Sequence, residues 1–263
     1  LWVFNITTSE WSEVTNTINI PRKRYKHTCV SYHNTFIVMF GLSDETISSS
    51  NRMLADVATL NLEEALFTSQ AEWVTDITLH ETVQARIGSD AASYDNFVIW
   101  FGGQAENGYL NDLWRINLAN HKLSQVVVKI HDHITPPKPY AMHSAVTIGN
   151  KMIVFGGVTL NNEGNNQIYA YDMDFQTWEL RDVRSSRPSP RFGHQMVAFG
   201  DSSFLFGGVQ QFLNDLWLFS LVKNQWIQLD YKNPNKDDIP SPRAYHTMQT
   251  NGTHLFVWGG RYS

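Results

Sequence analysis

Five times along the chain an apolar run closes on glycine: IVMFG ending at Gly41, VIWFGG at Gly103, MIVFGG at Gly157, FLFGG at Gly208 and LFVWGG at Gly260. With Gly41, Gly102, Gly156, Gly207 and Gly259 taken as the first glycine of each unit, the steps are 61, 54, 51 and 52 residues. A period of this size marks a repeat architecture, in which one unit cannot bury its apolar face alone and must stack on copies of itself.

Other positions keep their offset from the glycines. His143, His194 and His246 stand thirteen residues before the first glycine, Ser89 takes that place in the second unit, and His27 lies fourteen before Gly41, which suggests a longer hairpin in the first unit. Three residues before these come Arg24, Arg86, Arg191 and Arg243, with Tyr140 as the exception. LNDLWRIN (110–117) and LNDLWLFS (213–220) recur almost intact, LWVFN opens the chain as the same segment, and ADVATLN (55–61) and NQIYAYD (166–172) are weaker copies. A Trp follows each run at Trp11, Trp73, Trp178 and Trp226, whereas the second unit offers only HKLSQVVV.

These segments are short, rich in β-branched and aromatic residues, and bounded by Asn, Asp, Gly and Pro, so they read as strands joined by turns. Each unit then holds four strands: one after Arg-x-x-His, one ending in Gly-Gly, one after Asn-Asp and one around the Trp. NLEEALFTSQAEW (61–73) has room for a helical turn in an enlarged loop. A four-stranded sheet apolar on both faces must stack on another, and sheet twist closes a succession of such sheets into a ring. All nine Trp residues fall on the strands, which assigns them to packing between blades.

In these residues the chain resembles the kelch-repeat family: the aromatic before Gly-Gly, the later aromatic positions, and PSPRFGH and PSPRAYH all look like kelch blades, and the resemblance covers residues 1–263 as a single domain. It implies an all-β, kelch-type β-propeller of four-stranded antiparallel blades, akin to the central domain of galactose oxidase. The chain opens on a third strand and closes on a second, giving four complete blades and two half blades. The ring has six blades if the chain is a fragment of a longer one, as an opening at Leu1 without Met suggests, and five if the two ends pair.

In an antiparallel meander the connections between strands two and three share a face with those linking successive blades. That face carries the long segments 42–53, 75–85, 129–139, 158–167, 181–190 and 230–240, while the opposite face has tight turns such as 32–35, 148–151 and 222–225, with 61–72 longer. Long loops on a rigid scaffold are where recognition concentrates. PRKRYK (21–26) and RDVRSSRPSPR (181–191) bring cations towards the channel on that face. Arg22, Lys23, Arg24, Lys138, Arg184, Arg187, Arg191 and Arg243 are therefore the candidate partner-binding residues, with an acidic peptide as the candidate ligand. The arginines repeated in register have a structural reading beside this one.

The formal net charge of −5 gives no electrostatic reason to expect nucleic acid, and no apolar run is long enough to span a membrane. One cysteine, Cys29, excludes an internal disulfide and leans towards a reducing, intracellular setting. The sequons at Asn5 and Asn251 carry no weight in so polar a chain. His27, His143, His194 and His246 suit repeated structural hydrogen bonding better than a central metal, and His131 and His133 form a local pair without a third ligand. Family resemblance also raises a copper oxidoreductase of the galactose oxidase kind, in which tyrosine is cross-linked to cysteine, and the iron-binding plant specifier proteins. No sequence feature marks a partner tyrosine for Cys29 or the specifiers' Glu, Asp and His spacing, and no nucleophile elbow, phosphate loop or zinc motif occurs. The expectation is a non-enzymatic protein-interaction scaffold without a cofactor, with the metal oxidoreductase and a small-molecule or glycan binder as alternatives.

Overall fold

The computed structural model describes residues 1–5, 7–43, 52–68, 70–78, 83–128, 136–184, 186–232 and 239–262. The opening run forms a two-stranded antiparallel sheet, β1 (Trp2–Asn5) with β2 (Glu10–Glu13). After β3 (Asn16–Ile18), blade 2 contains β4 (Thr28–Tyr32), β5 (Thr35–Met39), β6 (Asp56–Asn61), helix α1 (Leu62–Thr68) and β7 (Gln70–Thr78). Blade 3 is β8 (Asp90–Tyr94), β9 (Phe97–Ala105), β10 (Gly108–Asn117) and β11 (Leu123–Gln125). Blade 4 is β12 (Ser144–Ile148), β13 (Lys151–Phe155), β14 (Ile168–Asp172) and β15 (Thr177–Leu180). Blade 5 is β16 (Gln195–Phe199), β17 (Ser202–Phe206), β18 (Leu216–Ser220) and β19 (Gln225–Leu229), and β20 (Thr247–Thr250) with β21 (Leu255–Trp258) closes the series. Four full blades stand between two half blades, with the helical turn where the enlarged loop allowed it.

β3 adds an unforeseen parallel strand to the outer edge of β7, with Thr17 opposite Ala71, and ties the first half blade to blade 2. The two half blades do not pair, since β1 and β21 belong to separate sheets. Instead the Phe4 ring lies edge-on to Trp258 at 5.9 Å. Register explains this contact. Trp258 pairs with Thr247 as Phe155 pairs with Ser144, and Phe155 meets Trp226 of the following blade at 4.9 Å. Phe4 pairs with Trp11 as Phe219 pairs with Trp226, so Trp258 reaches the third strand of the first half blade from the side on which one blade meets the next.

The core lies between blades. Phe101 and Phe155 each insert against the fourth-strand Trp of the following blade, Trp178 and Trp226, at 5.2 and 4.9 Å. Trp100, Trp178, Trp226, Trp114, Trp217 and Trp73 are buried, whereas Trp2 and Trp11 on the first half blade are exposed. Burying a ring of that size contributes several kcal/mol per blade contact.

The phase of the first unit needs correction. Its hairpin is no longer than the others, because Thr28 pairs with Met39 across a two-residue turn as Gln195 pairs with Phe206. Gly41 is instead the second glycine: its N–H donates to the carbonyl of Arg86 in the next blade, as the N–H of Gly208 does to Arg243. Phe40 holds the first-glycine place with φ of 59°. At Gly156 a Cβ would stand 2.5 Å from Cε1 of His194 and 2.8 Å from the Arg191 carbonyl oxygen of the following blade, so glycine makes room for the histidine ring. The blade after Phe40 carries Ser89 in place of that histidine, and the Phe40 ring fills the space, 5.5 Å from Trp100 and 5.3 Å from the Arg86 guanidinium. His27 is exposed.

Candidate functional site: the channel mouth on the long-loop face

Each repeated arginine occupies a fixed cradle. Arg191 donates from Nη1 and Nη2 to Oδ1 and Oδ2 of Asp215 at 2.7 and 2.8 Å and from Nη1 to the Gly207 carbonyl at 3.0 Å, while Trp217 Nε1 donates to the same carboxylate at 2.6 Å. Arg86, Asp112 and Trp114 repeat the arrangement, and Arg24 grips Asp56 at 2.7 and 2.8 Å. The side chains of Arg86 and Arg191 are fully buried and that of Arg24 nearly so. Arg243 donates to the carbonyls of Ser241 and Gly259 and to the Ser241 hydroxyl. Of the eight candidate residues, Arg24 and Arg191 thus brace their blades from within, while Arg22, Lys23, Lys138, Arg184 and Arg187 are exposed. Arg184 lies 3.6 Å from Asp182 with both side chains in solvent, a pair of little energetic weight.

A collar missed by sequence reasoning surrounds the channel. The residue just before the His or Ser of each unit, Lys26, Gly88, Met142, Gly193 and Tyr245, has φ between 53° and 63°. In that conformation each blade hands a backbone hydrogen bond to the next: Gly88 N–H to the Lys26 carbonyl at 3.3 Å, Met142 to Gly88 at 2.6 Å, Gly193 to Met142 at 2.8 Å and Tyr245 to Gly193 at 2.7 Å. The collar lies among the inter-blade segments, on the long-loop face. Gly193 leaves space for the Tyr245 ring, which a Cβ would meet at 2.8 Å, and the Tyr245 hydroxyl reaches Met142 Sδ at 3.6 Å. Burial pushes the Tyr245 phenol up, and the nearby Arg261 cation pulls against that. The signal was present in the sequence as a variable residue, Lys, Gly, Met, Gly or Tyr, inside an otherwise repeated motif.

Below the collar the innermost strands interlock. The Asp90 carboxylate accepts the Ala145 N–H at 2.7 Å and the Ser144 hydroxyl at 3.3 Å, and Ser144 Oγ accepts the Met196 N–H at 3.0 Å. Burial raises the Asp90 carboxyl to about 6. His143, His194 and His246 are buried one per blade, edge-on to Phe101, Phe155 and Phe206 at 5.3 to 5.4 Å. Burial lowers His143 and His246 to about 4 and holds His194 well below the ordinary value, and among the described residues their ring nitrogens meet no partner in hydrogen-bonding geometry. Among the described residues no group of three or more His, Cys, Asp or Glu is arranged to hold a metal ion; His131 and His133 lie outside the described residues. Burial and the Asp90 charge push the Cys29 thiol up to about 11, although its edge reaches solvent.

A family model described as the KLHDC2/KLHL20/DRC7 Kelch-repeats domain matches residues 1–208 and 129–263. The chain belongs to the kelch-repeat family, and its fold is the family's propeller of four-stranded blades. It is 27% identical over 266 aligned positions to the leucine-zipper-like transcriptional regulator 1 homolog of Drosophila melanogaster, covering 98% of this chain and 26% of that protein. Human host cell factor 2 is 25% identical over 95% of the chain and 32% of its own length. An N-(sulfonatooxy)prop-2-enimidothioate sulfolyase of Thlaspi arvense is 31% identical over 47% of the chain and 36% of its own length. The chain spans about a quarter to just over a third of the length of these relatives.

Proposed function

We propose that this propeller binds another protein through its long-loop face, with the channel mouth taking an acidic segment of that partner. The observation that carries the reading is the collar: an exposed Tyr245 and a half-buried Met142 project from hydrogen-bonded backbone, and the cations Lys26, Arg22, Lys23 and Arg187 stand exposed on the same face. A rigid aromatic and a soft thioether supply contact area, and cations without a carboxylate partner among the described residues supply charge for an acidic peptide. Repeated arginines such as Arg191 keep the mouth in shape and do not touch the partner. The binding reading needs no cofactor. The test is charge reversal of Arg184 and Arg187 to Glu, which leaves the blades intact and weakens partner binding with a smaller salt dependence. Undiminished binding by that variant and by Tyr245→Ala overturns the reading.

A further inference from the structure

A recess of about 230 Å³ opens on the opposite, short-turn face between blades 2 and 3. Its walls come from Thr59 on β6, Glu64 on α1, Glu72 and Val74 on β7, and Leu118 and His121 in the turn after β10. Asn61 fixes the acidic wall, its Oδ1 accepting the N–H groups of Glu63 and Glu64 at 3.0 and 3.3 Å.

Thr59 is nine-tenths buried, and its hydroxyl has no hydrogen-bond partner among the described residues. The Thr59 oxygen is not sealed off, so on the wall of the recess it is open to accept from a donor. Val74, 45% exposed, and Leu118 add an apolar strip beside the two carboxylates. Anions are repelled by Glu64 and Glu72, and a purely apolar ligand would strip water from them without return. The recess does not have the ligand set of a bare metal ion either.

We propose that this recess is a docking site for an arginine side chain presented by a partner protein. Its guanidinium offers donors to the Glu72 carboxylate and to the Thr59 hydroxyl, and its methylene stem lies along Val74 and Leu118. This second site is independent of the long-loop face.

The test titrates the whole chain with N-acetyl-arginine amide, following the His121 imidazole proton resonance by NMR. A saturable shift in the millimolar range is expected, at least tenfold weaker with Glu72→Gln, weaker with Thr59→Val, and unchanged with Glu106→Gln on the other face. N-acetyl-norleucine amide should produce no saturable shift. No saturable response to the arginine amide, or an equal response from Glu72→Gln with an unaltered melting temperature, overturns the proposal. Tighter binding of calcium or magnesium than of the arginine amide at the same resonance also overturns it, reassigning the recess to a metal ion. Thr59→Val keeps the question decidable should Glu72→Gln fail to fold.

Discussion

The Tyr140 hydroxyl reaches Oε1 of Gln167 at 3.4 Å in the place where other blades join a buried arginine to an aspartate. Tyr169, standing where Trp217 stands in blade 5, donates to the same oxygen at 3.1 Å. Arg, Asp and Trp in blade 5 have become Tyr, Gln and Tyr in blade 4, three changes that make sense only together. Either set satisfies its own polar groups, whereas a mixture would leave a buried charge alone.

Asp215→Ala should therefore cost about 3 to 5 kcal/mol, because Arg191 is fully buried and would lose its counter-ion. Arg191→Tyr combined with Asp215→Gln transplants two of the three members of the blade 4 set and leaves Trp217 to donate to the new amide oxygen. Denaturant unfolding should show the pair about 1 to 3 kcal/mol more stable than the sum of the single changes, the coupling met between contacting residues. Strict additivity would contradict this account.

Gly156→Ala and Gly149→Ala form a second comparison. Both positions have positive φ, 71° and 60°, but Gly149 has nothing within 4 Å of a new Cβ, while Gly156 faces His194 and the Arg191 carbonyl. Gly149→Ala should cost about 1 kcal/mol of backbone strain. Gly156→Ala should cost a further ~1 to 3 kcal/mol for overpacking. Equal melting temperatures for the two variants would show that the histidine does not occupy the glycine's space.

Acid should destabilise the fold through the histidines. Their folded-state values lie below the ordinary ~6.5, so the unfolded chain takes up protons first and stability falls as pH drops from about 6.5 towards about 4. Asp90 acts oppositely: its value of about 6 is above the ordinary carboxylate's, so its contribution is greatest below about 4 and fades as pH rises through 6. Three buried histidines outweigh one aspartate, and net stability should decline on acidification. Asp90→Asn should steepen that decline, as thermal melts at pH 7, 6, 5 and 4 would record. A variant less acid-sensitive than the parent would contradict the assignment.

Much of this fold was legible because each blade repeats its chemistry at a fixed offset: the strands, the helical turn near Leu62 and the packing role of the six buried tryptophans were readable, whereas Trp2 and Trp11, assigned to the same role, stand exposed. The exceptions are paired substitutions across blades. Phe40 hid the first-glycine position because its compensating partner, Ser89, lies in the next unit, and only register reveals the exchange. β3 was invisible because its parallel pairing with β7 is set by the path between blades and not by any local pattern. The exposed cations of the long-loop face were visible as loop residues; the collar left only a variable position before each His or Ser, since positive φ at Lys26, Met142 and Tyr245 is not written in residue type.

Charge on the two faces should separate recognition from folding. Lys151 is bound to Asp172 at 2.6 Å, so reversing it would disturb blade 4, and exposed Lys223 is the better control on the short-turn face. Arg22→Glu with Lys23→Glu should change the melting temperature little and weaken partner binding, mostly through the association rate. Lys223→Glu should alter neither. The measurement is salt-dependent association kinetics with the isolated partner.

Site-specific photo-crosslinking tests the central claim most directly. A benzophenone side chain placed in turn at Tyr245, Arg187, Phe175 and Val222, followed by mass spectrometry of the adducts, compares the two faces in one experiment; Phe175 and Val222 are exposed in short turns of blades 4 and 5, remote from the recess between blades 2 and 3. Partner adducts at Tyr245 and Arg187, those at Tyr245 suppressed by Arg184→Glu, are the predicted result. Adducts at Phe175 or Val222 with none at Tyr245 or Arg187 would contradict it.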